Sequence, residues 1–189
     1  IDWMTRERCR KATFPLGVAN PNATYDIQVG AIERDNNNPK RYECPSHKWI
    51  DLTDTKGDYG VSVLSDSKYA SDKPNDNTLR LTLLYTPGVR GSYQEQGTQD
   101  IGRHHMLYAL AGHGGDWRAT TPWQAARVNQ PLMAFSVLKH EGPLGRTASL
   151  ATCNNEQVAI CAIKKAEETE EIIVRLRELR GMDAKGVQI

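Results

Sequence analysis

The sequence predicts an all-β fold, a large antiparallel β-sandwich, and three observations predict it. Apolar residues recur with period two in successive runs of five to nine residues. The runs are rich in strand-forming residues. Clusters of Asn, Asp, Gly and Pro bound them, as turns require.

The first clear run is TYDIQVGAI, which places Tyr25, Ile27, Val29 and Ala31 on one face and Asp26 and Gln28 on the other. YGVSVLSD sets Val61 and Val63 against Ser62, and NTLRLTLLY sets Leu79, Leu81, Leu83 and Tyr85 against Arg80 and Thr82. HHMLYALAG gives a core strand from Met106 to Leu110, with Met106, Tyr108 and Leu110 on one side. QVAICAI alternates in the same way. Successive strand side chains point to opposite faces, so each run can bury one side and wet the other. Between the runs, RDNNNPKR (34–41) is a polar loop and SDKPNDN (71–77) is a turn. YTPGVRGSYQEQGTQ (85–99) is too long for a hairpin loop, which marks it as functional or mobile.

The last third holds a conflict. IKKAEETEEIIVRLRELRG is rich in helix formers, and Ile172, Leu176 and Leu179 fit a helical stripe. Yet Ile172, Val174 and Leu176 also alternate with Arg175 and Arg177, as in a strand. On these residues alone a helix and a hairpin turning at AEETEE both stay open.

At 189 residues the chain suits one ordinary domain or one large sandwich, and a single sandwich domain over 1–189 is expected. Its 24 basic and 23 acidic residues leave a net charge of +1, which gives no pull toward nucleic acid or anionic membrane. No apolar run reaches the ~20 residues that span a bilayer. The opening residues, IDWMTRERCR, lack an initiating methionine and a signal-peptide core. A soluble piece of a longer or processed protein is expected, with no targeting signal and no assigned compartment.

The stretch GRHHMLYALAGHGGDW invites a metal-site reading. On a strand, however, His104 and His105 point to opposite faces and cannot share an ion. His113, beyond Gly112, reaches them only by folding back, and no H-E-x-x-H or Cys/His spacing exists. GHGGDW reads as a turn, with Trp117 and Trp123 packed at the strand's end. Cys9, Cys44, Cys153 and Cys161 form no C-x-x-C pair and read as free or buried thiols, with one disulfide left open. Asn22-Ala23-Thr24 is a glycosylation sequon. No Walker motif, dinucleotide fingerprint or nucleophile elbow is present, and carboxylate spacing alone pairs no acid with a nucleophile. LSDSKYASD, with Asp66, Lys68 and Tyr69, fits a solvated hairpin or the rim of a binding cleft.

Taken in order, ATYDIQVGAIER, HKWIDLTD, YGVSVLSDSKYASD, NTLRLTLLYTP, EQGTQDIGRHHMLYALAGHGGDW and NQPLMAF form a series. The series resembles the C-terminal half of the glycoside hydrolase family 38 α-mannosidases. IDWMTRERCRKATFP is similar to the segment that opens that family's large sandwich. VAICAIKKAEETEEIIVRLRELRG resembles a later segment in which family members alternate as strands, and this favours the hairpin. The resemblance runs from Ile1 to about Gly181, and the order and spacing of the motifs carry it rather than any one of them.

The resemblance implies a supersandwich of the galactose-mutarotase type, truncated here because the family's sandwich continues beyond the position of Ile189. It implies a parent that hydrolyses terminal α-D-mannosides of glycans with retention. There an N-terminal β/α-barrel-like domain holds the carboxylate nucleophile and a zinc ion bound by His and Asp. None of those motifs occurs in this chain. No catalytic residue and no metal ligand is therefore expected in it, no cofactor is expected to bind it, and Zn2+ is expected in the catalytic domain. The chain alone is expected to be inactive, lending structural support and an active-site wall. The implied partners are its own N-terminal catalytic domain and a mannose-containing glycan; nucleic acid and membrane are not expected, and a homo-oligomer is open.

Asp66, Lys68 and Tyr69 match a family run and are expected to face the substrate cleft, together with Arg103 and His104. Tyr85 stands where relatives often place an arginine that reaches substrate. The alternative is a self-standing carbohydrate-binding or structural sandwich, with Tyr69, Tyr93 or Trp117 stacking on a sugar face. A sandwich without its last strands exposes edges and apolar surface, which a second copy or another chain is expected to cover.

Overall fold

The computed structural model describes residues 1–88 and 99–189. It divides into two compact units, Ile1–Pro131 and Leu132–Ile189. The sequence reading treats 1–189 as one sandwich domain.

The first unit contains two principal antiparallel sheets. One has the order β11-β7-β6-β3-β4, built from Tyr108–Gly114, Tyr59–Ser65, Trp49–Thr53, Asn22–Asp26 and Ala31–Asp35. The other has the order β2-β9-β8-β5, built from Arg8–Pro15, Thr78–Thr86, Ala70–Asn75 and Cys44–Pro45. A short pair joins β1 (Asp2–Trp3) to β10 (Gly102–Arg103). One apolar cluster draws Tyr25, Ile50, Leu52 and Val63 from the first sheet and Leu79, Leu81, Leu83 and Leu84 from the second. A core shared between two sheet faces makes the unit a β-sandwich.

Four sequence expectations are corrected. TYDIQVGAI is two strands rather than one: Ile27 N–H donates to Gly30 O, and Gln28 adopts φ 71° at the tip of the β3–β4 turn. Alternation cannot distinguish a strand from a tight turn inside it, and Val29 ends 84% exposed. SDKPNDN is a strand up to Asn75, and only Asn75–Thr78 turns. Pro74, which has no N–H to offer a ladder, sits where the β8–β9 register is irregular.

The third correction concerns β9. Its alternation reverses phase at Leu83, where Arg10 pairs with Leu84 but Lys11 pairs with Thr82. A bulge of this kind sets two residues against one, so it flips every later side chain. Leu84 is therefore buried and Tyr85 points outward, away from the side occupied by Leu79 and Leu81. The fourth concerns the strand expected from Met106 to Leu110. The strand runs Tyr108–Gly114 at the sheet edge, with Tyr108 and Leu110 exposed. GHGGDW accordingly contributes strand residues up to Gly114, and the turn begins at Gly115 (φ 71°).

One helix, α1 (Thr121–Asn129), was not anticipated. Pro122 lies in its first turn and Pro131 follows its end, a start-and-stop signal that can be read in TTPWQAARVNQP. Ala125 and Val128 pack with Trp117 on Trp49, Leu64, Ala109 and Ala111, on the face of the five-stranded sheet opposite the sandwich core. Trp117 is docked as expected, whereas Trp123 stays 37% exposed.

The second unit is a hairpin of β12 (Val158–Lys165) and β13 (Ile172–Glu178), closed by Ala166 N–H donating to Glu171 O. The hairpin reading of this segment is therefore correct, and AEETEE is its turn. Residues 132–150 form neither helix nor strand, and Leu132, Phe135, Leu138 and Leu150 are among their exposed apolar side chains. All four cysteines are free.

Candidate functional site on the outer face of the five-stranded sheet

The register of the first sheet aligns one row of residues across all its strands: Glu33 with Thr24, Thr24 with Asp51, Asp51 with Ser62, and Ser62 with Ala111. The next row of the same face places Thr53, Gly60 and His113 together. Period two fixes the consequence: Ile50 and Leu52 face the sandwich core, and Trp49, Asp51 and Thr53 face the other way. Trp117 and α1 cover the apolar end of that outer face, while its β3–β4 side is open.

At the covered end lies a buried polar network. The carboxylate of Asp51 accepts Thr53 Oγ1 on Oδ1 at 2.6 Å, and Ser62 Oγ and His113 Nε2 on Oδ2, each at 2.7 Å. Thr121 Oγ1 sits 2.6 Å from Ser62 Oγ, which ties the start of α1 to the sheet. His113 Nδ1 faces Gly115 O at 3.2 Å. Both ring nitrogens thus face acceptors, so an imidazolium satisfies the site where a neutral ring cannot. The Asp51 carboxylate, helped by the Gly115 carbonyl, holds the His113 pKa above its ordinary value although burial pulls the other way. The residue types suggest a Ser-His-Asp triad, but the order is wrong. Asp51 stands in the middle, and in a triad the histidine must bridge serine and carboxylate to take the serine proton. The network builds structure.

The open side is a depression of about 330 Å³. Asn22, Thr24, Glu33, Asp54 and Lys56 line it, and Trp117 and Arg118 form one wall. Arg118 pairs with Asp116 at 2.8 Å and lies 4.4 Å from the Trp117 ring centroid, while Trp49 packs on the same ring at 4.9 Å. Trp117 is 5% exposed between them. It therefore has no face to offer a sugar, contrary to the stacking role suggested from sequence.

The residues expected at a cleft fall elsewhere. Asp66 Oδ1 accepts Leu107 N–H at 3.2 Å and Ser67 Oγ at 2.7 Å, tying the end of β7 to the approach to β11. Lys68 follows, its N–H donating to Ser65 Oγ at 3.0 Å. Tyr69 stacks on His47 at 5.6 Å and keeps 57% of its surface exposed. Arg103 Nε bonds Asp2 Oδ1 at 2.9 Å across the β1–β10 pair, and His104 Nε2 lies 3.1 Å from Asp100 O. Tyr85 lies exposed on β9, in the other sheet. Asp66, Lys68 and Tyr69 are together at the β7–β8 connection; among the described residues no hydrogen bond or ion pair joins any two of the six. Tyr93 and most of the 85–99 connection lie outside the described residues. Sequence reasoning missed Asp51, Ser62 and His113; the signal was the alternation of Trp49, Asp51 and Thr53 with Ile50 and Leu52.

Residues 1–89 match the glycosyl hydrolases family 38 C-terminal domain. The resemblance read from the sequence is thereby shown. Alpha-mannosidase 2C1 of Mus musculus is 32% identical across 96% of this chain and 17% of its own length, and the Homo sapiens protein of the same name is 30% identical over the same shares. Alpha-mannosidase G of Dictyostelium discoideum is 27% identical, again over 17% of its length. The chain therefore spans 17% of the length of these relatives. The crystal structure of an alpha-mannosidase from Enterococcus faecalis V583 superposes with a TM-score of 0.77 at 23% identity, covering 89% of this chain and 20% of that one. At that identity the superposition establishes the fold, and the all-β sandwich assignment stands on it. Among the described residues no helix is long and apolar enough to cross a membrane.

Proposed function

We propose that this chain is the C-terminal sandwich of a retaining α-mannosidase that removes terminal α-D-mannosides from glycans. In this reading it supports a catalytic domain carried elsewhere in the parent and walls its active site. The observation that carries the reading is the breadth of the likeness: identity of 32% extends over 96% of this chain while occupying 17% of the mouse α-mannosidase. Exposed apolar surface supports it. Ile172, Ile173, Val174 and Leu176 are exposed on both faces of β13, as suits a strand built to be covered by more protein.

The zinc implied by the family resemblance does not fit this chain, because among its described residues no three His, Cys, Asp or Glu side chains group around one ion. In its own domain such an ion would engage the vicinal hydroxyls of the sugar and favour ring distortion. Asp66, Lys68, Tyr69, Arg103 and His104, with Tyr85, remain the proposed contributors to the wall. Placed there, Lys68 and Arg103 would orient substrate hydroxyls by donating hydrogen bonds.

The test uses the intact parent. Lys68→Ala and Arg103→Ala should each lower kcat/KM on an aryl α-mannoside about tenfold, ~1.4 kcal/mol of transition-state binding. Unchanged kcat/KM in both variants would show that these residues build the fold and touch no substrate. The 189-residue chain by itself should turn over none of the same substrate.

A further inference from the structure

We infer that the depression beside β3 and β4 is a binding site for a neutral saccharide, held by hydrogen bonds rather than by aromatic stacking. The inference goes beyond the mannosidase reading and does not rest on it. Size comes first: about 330 Å³ lies at the small end of the range of ligand pockets, which suits one or two sugar rings.

The chemistry of the lining comes second. The Glu33 carboxylate, the Asn22 side-chain amide and the Lys56 ammonium have no hydrogen-bond or ion-pair partner among the described residues. Asp54, also in the lining, accepts Asp58 N–H on Oδ1 at 2.7 Å, and its second oxygen has no partner among the described residues. The set therefore offers acceptor-only carboxylates, a donor-only ammonium and an amide that does both. Vicinal hydroxyls, each a donor and an acceptor, complement that mixture. An anion meets Glu33 and Asp54, and a cation meets Lys56 and the Arg118 wall.

Rigidity comes third. Glu33 and Asn22 project from paired strands, where Glu33 is in register with Thr24 and Asn22 with Asp35. Beside them the Asn20 side chain fixes the loop, donating to Thr53 O at 2.8 Å and accepting Asn22 N–H at 2.9 Å. Groups held on strands keep their spacing in the absence of ligand, which lowers the ordering cost of binding. Trp117, pinned between Trp49 and Arg118, acts as a fixed wall.

The experiment is an NMR titration of the unglycosylated 189-residue chain with methyl α-mannoside and with an α-linked mannobiose. Saturable shifts confined to residues 20–24, 33 and 53–57, with a dissociation constant on the order of 1 mM, are expected. Glu33→Gln and Asn22→Ala should each weaken binding about tenfold while leaving the melting temperature unchanged, since both side chains are exposed. No shift at about 100 mM ligand, shifts centred on Asp66–Tyr69, or undiminished binding by both variants overturns the site. Turnover of an aryl α-mannoside by the parent is read separately. Loss of binding with turnover intact refutes this site alone, and binding without turnover refutes the enzymatic reading alone.

Discussion

His113 donates from Nε2 to Asp51 Oδ2 at 2.7 Å, and its ring occupies the space into which a Cβ at Gly60 would project. Such a Cβ would lie 2.6 Å from His113 Cε1 and 2.9 Å from Leu52 O. Gly60 and His113 are directly paired on β7 and β11, so the glycine is what lets the imidazole lie flat across the sheet to reach Asp51 on β6. Gly60→Ala should cost about 1–3 kcal/mol by overpacking. His113→Ala leaves the buried Asp51 carboxylate without its cation and should cost about 3–5 kcal/mol. Urea unfolding of both variants checks this, and equal midpoints for wild type and His113→Ala would show that the pair contributes no stability.

The same pair gives the chain a pH dependence with a definite sign. The folded state holds the His113 proton more tightly than the unfolded chain does, because the pKa is raised from its ordinary 6.5. The stabilisation is complete below about 6.5 and fades as pH rises through the raised folded value. Wild type should lose urea resistance as pH rises above about 6.5 and through the raised folded value. His113→Gln should lose less over the same rise in pH. Parallel pH profiles for the two proteins would assign the loss to other groups.

The bulge at Leu83 separates two neighbours that look interchangeable in the sequence. Leu84, 1% exposed, should cost about 2–5 kcal/mol on truncation to alanine. Tyr85, 56% exposed, should change stability by less than about 0.5 kcal/mol on the same truncation. Thermal melts of the two variants distinguish this arrangement from an unbroken alternation, which assigns the large cost to Tyr85.

Tyr25 buries its hydroxyl completely in the sandwich core, and that oxygen has no hydrogen-bond partner among the described residues. Burial, reinforced by Cys44 and Asp72, drives its pKa far above the ordinary phenol value. An unsatisfied buried hydroxyl costs about 1–3 kcal/mol, so Tyr25→Phe should stabilise the fold by a share of that amount. A lower melting point for Tyr25→Phe would reveal a partner for the hydroxyl.

Charged residues inside the second sheet illustrate how far a sequence can be read. Asp72 and Lys73 lie in a stretch whose Pro, Asn and Asp content signals a turn, yet both are buried in β8. Arg80 and Asn37 bond the Asp72 carboxylate, and Asn36 Oδ1 and Asn75 O accept from Lys73 Nζ. These partners lie on β9, in the loop after β4 and at the end of β8 itself. Local composition therefore points to solvent where tertiary pairing allows burial. The loop RDNNNPKR is likewise polar because Asn36 and Asn37 serve that strand.

By itself the sequence determined the strand-rich fold class and the family likeness, and through that likeness it favoured the β12–β13 hairpin, because period two and motif order are properties of the linear chain. The alternation of Trp49, Asp51 and Thr53 with Ile50 and Leu52 was equally present in the sequence but was not read from it. Only the tertiary structure decided that α1 and Trp117 would cover one end of that outer face, burying His113 on Asp51, and leave the other end open beside Glu33. It likewise decided that Tyr85 faces outward. Register, bulges and helix docking are set by contacts between segments far apart in the chain, and each can turn a side chain to the opposite face without altering the local pattern.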